Sequence, residues 1–235
     1  CLVGSEMCIR DSNRLHLLFD WSGIIILLEE MSMYIPSHYQ VTDTKTIQHF
    51  IQSHPFATVI SKDKQGQMLA THMPVLLHEF GDQLVLSGHF AKSNPQWQTV
   101  NNEDEILIIF QGPHGYISST WYDQEDVPTW DYQSVHVYGN SWLTDAAETK
   151  EDIIALLNTF EDEAGARFEN LASDTRKQIH GIVGFRISIE RTYAAFKLSQ
   201  NRSTTDIEAI IEQLSSHGNQ ALADAVLHNS LEPEE

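Results

Sequence analysis

The sequence predicts an α+β fold centred on a small antiparallel β-barrel with helices around it. Three observations predict it. Apolar alternation recurs in six or so short segments between residues 56 and 196. Turn signals separate these segments at short intervals, as in closely connected antiparallel strands. No βαβ rhythm and no GxGxxG accompany them, so a doubly wound dinucleotide-binding sheet is excluded.

The elements follow in order. Thr42 and Asp43 cap a short helix with the apolar face Ile47, Phe50 and Ile51, and Pro55 ends it. FATVIS at 56–61 is a strand, followed by a polar turn at 62–66. MLATHMPVLL at 68–77 is a second strand, in which Pro74 marks an edge or a bulge. Gly81 and Asp82 turn the chain into QLVLSGHF at 83–90, and the Asn94-Pro95 step breaks it before EILIIF at 105–110. Further strands are predicted at about 115–119 and 133–143. Ile153, Leu156, Leu157 and Phe160 share one face of a predicted helix over 149–168, and another short helix precedes Gly181. FRISIERTYAAF at 185–196 alternates as the last strand. Ser203 with Asp206 forms a capping box using Asp in place of Glu and opens a helix through Leu214. A final helix runs into the acidic LEPEE tail, read as frayed.

Composition narrows the function. The chain has 235 residues, with 14 bases against 33 acids. Residues 33–235 keep 12 of those bases and 28 of the acids. Duplex DNA binding needs clustered Lys and Arg, yet Arg167, Arg176, Lys177, Arg186 and Arg191 are scattered among acids. Direct DNA binding is therefore disfavoured. Cys1 and Cys8 both fall within the first 32 residues, so disulfides, thiol catalysis and cysteine-ligated zinc are excluded for the remainder. CLVGSEMCIRDS resembles a translated sequencing-adaptor scar, which makes residues 1–32 a non-native head and Met33 the start. A signal peptide fits less well, because Asp20 interrupts the apolar stretch and IIILL at 24–28 is too short, so no membrane partner and a cytoplasmic location are expected. The expected organisation is a head at 1–32, a site-bearing domain at 33–202 and a helical appendage at 203–235.

The most informative stretch is LVLSGHFAKSNPQW, EILIIFQGPHGYISSTWY and VPTWDYQSVHVYG within 84–139, where strand ends carry aromatic rings beside short polar donors. Such a mixture suits a site that stacks on a flat ring and holds an anion. With MYIPSHYQVTD, MLATHMPV and KLSQNR at 197–202, these segments resemble the FMN-binding negative transcriptional regulator family, the protease-synthase and sporulation repressor type. The resemblance runs from Met33 through about Leu214. It implies a six-stranded split β-barrel of the pyridoxamine-phosphate-oxidase type, FMN as cofactor, and a homodimer with the flavins in the interface groove.

FMN presents a dianionic phosphate, a hydroxylated ribityl chain and a flat ring with acceptors along one edge. Lys92 supplies a cation, Ser93 and Asn94 are short donors, and Pro95 fixes the turn, which suits the phosphate. A solvated loop lysine beside an ordinary turn is the plainer alternative. The resemblance places the strand holding Thr71 and His72 along the flavin, although Thr71 is also a common strand residue. Ser87, Gly88 and His89 end the neighbouring strand, where Gly88 permits close approach. Gln111 either bonds the ring or ribityl oxygens or satisfies a Gly112-Pro113 turn. Trp130 and Tyr132 are the expected flavin wall, and Lys197, Gln200 and Asn201 would close the pocket beside a helix start.

His72, His89, His114 and His136 form no HExxH or other metal spacing, so no metal is assigned, and haem lacks a CxxCH signature. No catalytic triad or carboxylate pair is present, so redox chemistry would be the flavin's own. Three readings stay open: a flavin-dependent regulator or sensor, an FMN-dependent oxidoreductase of the flavin reductase type, and a flavin-free dimeric scaffold.

Overall fold

The computed structural model describes residues 15–19, 25–29, 33–81, 83–100, 105–124, 126–162 and 165–231. The chain divides into two units, Cys1–Ile35 and Pro36–Glu235. In the first, β1 (Leu15–Phe19) and β2 (Ile25–Glu29) form an antiparallel hairpin with Leu17 opposite Leu27. Most of the stretch read as an adaptor-derived head, both cysteines included, lies outside the described residues, as does the end of the LEPEE tail.

The second unit runs β3 (Gln40–Val41), α1 (Thr44–Ser53), β4 (Phe56–Lys62), β5 (Met68–Pro74), β6 (Leu76–Phe80), β7 (Gln83–Ala91), β8 (Ile106–Ile117) and β9 (Thr129–Leu143). It continues with α2 (Ala146–Phe160), α3 (Ser173–Arg176), β10 (Ile182–Lys197), α4 (Thr204–Ser216) and α5 (Gln220–Leu231). Among the described residues its eight strands form one antiparallel sheet in the order β5-β4-β8-β9-β10-β7-β6, with β3 added to β10. The six long strands match the expected number; β3 and β6 are additions.

Closure follows from one residue. The strand predicted at 68–77 divides at Val75, so β5 lies at one end of the sheet order and β6 at the other. Two ends joined by a single residue must curl toward each other, and the sheet becomes a barrel. Val75 is fully buried, and its N–H donates to the Pro55 carbonyl at 2.8 Å. Pro74, which has no N–H to give a ladder, sits at this break on an edge strand, as its chemistry requires.

The segments predicted separately at 105–110 and 115–119 are one strand, β8. Gln111 pairs with Ser134 and His114 with Tyr132, so Gly112 and Pro113 together face Gln133. This is a β-bulge rather than a turn, and Pro113 is tolerated where the ladder is interrupted. A Cβ on Gly112 would lie 2.8 Å from the Phe50 ring, so only glycine lets α1 seat Phe50 against the bulge.

Capping sets the helix bounds. Asp43 accepts from the Thr46 N–H at 2.7 Å, and Ser203 accepts from the Asp206 N–H at 3.1 Å, as the sequence predicts. α2 begins three residues earlier than 149 because Asp145 and Glu148 form a full capping box, and it ends at Phe160, where Glu161 is extended. Arg186 on β10 holds α2 to the sheet by two bonds to Asp152, at 3.1 and 2.9 Å, and one to Glu148 at 3.1 Å. The core joins Val59, Leu86, Phe90, Ile108, Phe110, Val137, Phe185 and Ile187 in the barrel with Ile210, Leu222 and Val226 of α4 and α5.

Candidate functional site

The structure gathers the predicted site residues into two adjoining places and sets the others apart. The first place is the turn after β7. Asn94 Nδ2 donates to Thr71 Oγ1 at 2.9 Å, and Thr71 Oγ1 donates to Gln96 Oε1 at 2.6 Å. Gln96 is buried, and its Nε2 donates to the Val59 carbonyl at 3.0 Å and to Ser61 Oγ at 3.1 Å. Thr99 Oγ1 lies 2.7 Å from Ser61 Oγ and completes the network. The turn is thus fastened to β4 and β5 at once. Sequence reasoning missed Gln96, Ser61 and Thr99, because a glutamine after Asn-Pro reads as a solvated loop residue.

Lys92 rides on that fastened turn. Its N–H donates to the Gly181 carbonyl at 2.9 Å, and its own carbonyl accepts from Trp97 Nε1 at 3.2 Å. The backbone is therefore fixed while the side chain is exposed, with no hydrogen bond or ion pair to its ammonium among the described residues. Ser93 is exposed beside it. Among the described residues β5 is an end strand that pairs with β4 alone, so its other edge offers backbone donors and acceptors.

The second place is one face of the sheet. In register, His72, Thr58, Ile109, His136 and Tyr193 cross β5, β4, β8, β9 and β10 in one row, so their side chains share a face. Alternation adds Phe56, Met68, Gln111, His114, Tyr116, Trp130, Tyr132 and Lys197 to it. Thr71 and His72, consecutive on β5, therefore point to opposite faces. Trp130 Nε1 donates to His114 Nδ1 at 3.2 Å, and their rings stack at 5.9 Å and 28°. Lys197 Nζ donates to the Trp130 carbonyl at 3.0 Å and also reaches Thr129 Oγ1. Gln111 is exposed, and His72 stacks on Phe56 at 6.3 Å. Burial holds His136 below the usual histidine range, and its buried Nδ1 has no partner among the described residues.

Ser87 and His89 do not join either place. They lie beneath α2 in a crevice of about 10 Å³ with Leu76, Thr149, Asp152 and Leu156, far too small for a flavin. Ser87 Oγ bonds His78 Nε2 at 2.7 Å, and burial lowers both His78 and His89. Gly88 faces Phe185, whose ring a Cβ would meet at 2.8 Å, so glycine serves the core there. Gln200 is used locally, accepting from the Leu198 N–H at 2.7 Å and donating to the Phe196 carbonyl at 2.6 Å. Asn201 is exposed on a groove of about 920 Å³ between β3, the end of β10, α4 and α5. Among the described residues, no three His, Cys, Asp or Glu side chains converge as metal ligands.

A fastened turn bearing a free cation, an open strand edge and an aromatic sheet face together suit a phosphorylated flat-ring cofactor. The sequence family described as "Putative FMN-binding domain" matches residues 33–191. The chain belongs to that FMN-binding domain family. It is 41% identical over 190 residues to "Protease synthase and sporulation protein PAI 2" of Bacillus subtilis, covering 80% of this chain and 91% of that protein. A Saccharomyces cerevisiae protein without an assigned function is 27% identical over 154 residues, 56% of this chain and 89% of its own. Among solved structures, the flavocytochrome Anf3 of Azotobacter vinelandii superposes with a TM-score of 0.55 at 16% identity, covering 74% of this chain and 78% of its own. The FAD and heme binding protein of Mycobacterium smegmatis gives 0.54 at 18% identity, over 73% and 80%. The family's fold here is the split barrel that the sequence resemblance implied. Among the described residues, no helix is long and apolar enough to cross a membrane.

Proposed function

We propose that this chain binds FMN as a homodimer and acts as a flavin-dependent regulatory or sensor protein. The observation that carries it is the Asn94–Thr71 hydrogen bond of 2.9 Å, which joins a cation-bearing turn to an open strand edge. Lys92 would hold the phosphate with Ser93 and Asn94, a charge-assisted arrangement. The free edge of β5 would bond the ring, and Trp130, Tyr132, Lys197 and Gln111 would wall it. Bound FMN supplies one- and two-electron redox chemistry; the chain's residues orient it and set the charge around it.

The shared face supports the dimer. Phe56, Met68, Tyr116 and Trp130 are each 50% or more exposed on it, large apolar side chains of the kind a subunit interface covers. The excess of acids supports action through the flavin, a metabolite or a protein partner rather than through duplex DNA. An FMN-dependent oxidoreductase uses the same site. Anaerobic addition of NAD(P)H to the FMN-loaded protein separates the two: a flavin spectrum that bleaches only slowly supports the regulator, whereas rapid catalytic bleaching supports the reductase. A gel shift on the chain's own upstream DNA at about 150 mM salt should show no specific band, and a salt-sensitive nanomolar complex would overturn that part.

A further inference from the structure

Between Trp130 and Tyr132, which point to the aromatic face, Asp131 points the other way and is fully buried. Its Oδ2 accepts from Ser199 Oγ at 2.6 Å, while its Oδ1 is buried without a partner among the described residues. Ser199 is itself buried and has φ of 58°, the left-handed conformation that side-chain-bearing residues rarely adopt. This strained residue lies in KLSQNR, between Lys197, which reaches the Trp130 carbonyl, and Arg202, which stacks 4.0 Å over the Tyr122 ring and pairs with Asp126. An Arg202 N–H to Ser199 carbonyl bond of 3.0 Å and the two Gln200 side-chain bonds close the turn. The turn therefore anchors the end of β10, where Lys197 pairs with Tyr132.

We propose that Asp131 is a positioning residue whose carboxyl latches Ser199 in the left-handed conformation, so that the placement of Lys197 at the flavin site depends on this latch and responds to pH. The inference rests on the flavin reading above and deepens it by naming a control on the same site.

The groups acting on Asp131 are Lys197 from β10, Arg202 from the turn, and the phenols Tyr39 and Tyr122 from the flanking loops, with Asp126 paired to Arg202. Gly115, opposite it on β8, brings no charge. Burial pushes the carboxyl above the ordinary range and outweighs the Ser199 hydrogen bond and the two cations, which pull it down. The latched arrangement thus binds a proton more tightly than an open one does. As pH rises through the raised pKa, ionisation leaves a buried carboxylate with an unpartnered oxygen, and the latch loosens.

The test is FMN affinity between about pH 5 and 8, a range in which folded domains are usually stable, for the wild type, Asp131→Ala, Asp131→Asn and the double variant D131A/S199G. The wild type should weaken as pH rises, and Asp131→Ala should bind about tenfold or more weakly throughout. Glycine adopts positive φ freely, so adding Ser199→Gly to Asp131→Ala should restore most of the affinity, and the fold as well if Asp131→Ala alone loses it. Asp131→Asn keeps an oxygen for Ser199 Oγ–H and should bind without the pH dependence. Wild-type affinity in Asp131→Ala, no rescue by Ser199→Gly, or an unchanged pH profile in Asp131→Asn would each overturn the latch. Should the wild type bind no FMN, the flavin reading fails and amide hydrogen exchange at 198–202 decides the latch. Faster exchange in Asp131→Ala, reversed by Ser199→Gly, upholds it; unchanged exchange overturns it.

Discussion

The side-chain amide of Asn94 donates to the hydroxyl of Thr71 across 2.9 Å, 23 residues away in sequence. That bond brings a turn whose lysine ammonium is unengaged among the described residues against the strand whose edge is open. A loop lysine on a mobile turn would give only a diffuse positive field. Lys92 on a turn held at Asn94, Gln96 and its own backbone offers a charge carried from a fixed backbone position, which suits a phosphate.

Lys92→Ala should weaken FMN binding about ten- to hundredfold, as expected for losing a charge-assisted hydrogen bond of about 1.5–3 kcal/mol. Riboflavin, which lacks the phosphate, should be affected by less than about twofold on the same scale. Fluorescence titrations with both ligands check this, and equal losses would remove Lys92 from the phosphate.

Gln96→Ala should destabilise the fold by about 2–3 kcal/mol, because it leaves the Val59 carbonyl and Ser61 hydroxyl without their buried donor. It should also loosen the Asn94 turn and weaken FMN. Denaturant unfolding with FMN titration on the folded variant measures both. A stability change within about 0.5 kcal/mol, the range of an ordinary surface substitution, would show the network to be incidental.

Stability should fall as pH drops below about 6.5, the ordinary histidine value. Burial lowers His78, His89 and His136, with Arg186 adding to the effect at His78 and Asp152 opposing it. The unfolded chain then binds more protons than the folded one between the lowered values and 6.5, so acid favours unfolding. Asp131 acts in the opposite sense, losing stability as pH rises through its raised value. Melting temperature against pH should therefore show an acid-side slope that His89→Gln reduces; a flat profile from neutrality into that window would contradict the burial of these rings.

The protein should be dimeric at micromolar concentration, and Trp130→Glu with Phe56→Glu should make it monomeric without unfolding it, since both side chains are at least half exposed. Light scattering with circular dichroism reports both properties. A wild-type monomer would place the flavin in a single-chain site.

Alternation made the long strands legible, and Asp43 and Ser203 announced their helices through side chains whose only favourable place is a cap. The closure at Val75 was hidden, because MLATHMPVLL alternates as one strand and only pairing shows its halves at opposite ends of the sheet. Gly112 and Pro113 read as a turn because their dihedral preferences suit a turn and a bulge alike. Ser87 and His89 alternate correctly, yet no local pattern says that α2 covers their face. Asp131 and Gln96 were not singled out because carboxylates and amides are usually exposed; burial with hydrogen-bonded partners is a long-range fact. The cation, the turn and the aromatic residues of the site could be read from residue chemistry, whereas their grouping needed the register.

Titrating the purified protein with FMN while following flavin fluorescence and visible absorbance tests flavin binding at this site. Binding should saturate at one FMN per chain with micromolar or tighter affinity and a perturbed flavin spectrum, and Lys92→Ala should lose that affinity. A folded protein that leaves the FMN spectrum unchanged at saturating concentrations would contradict it.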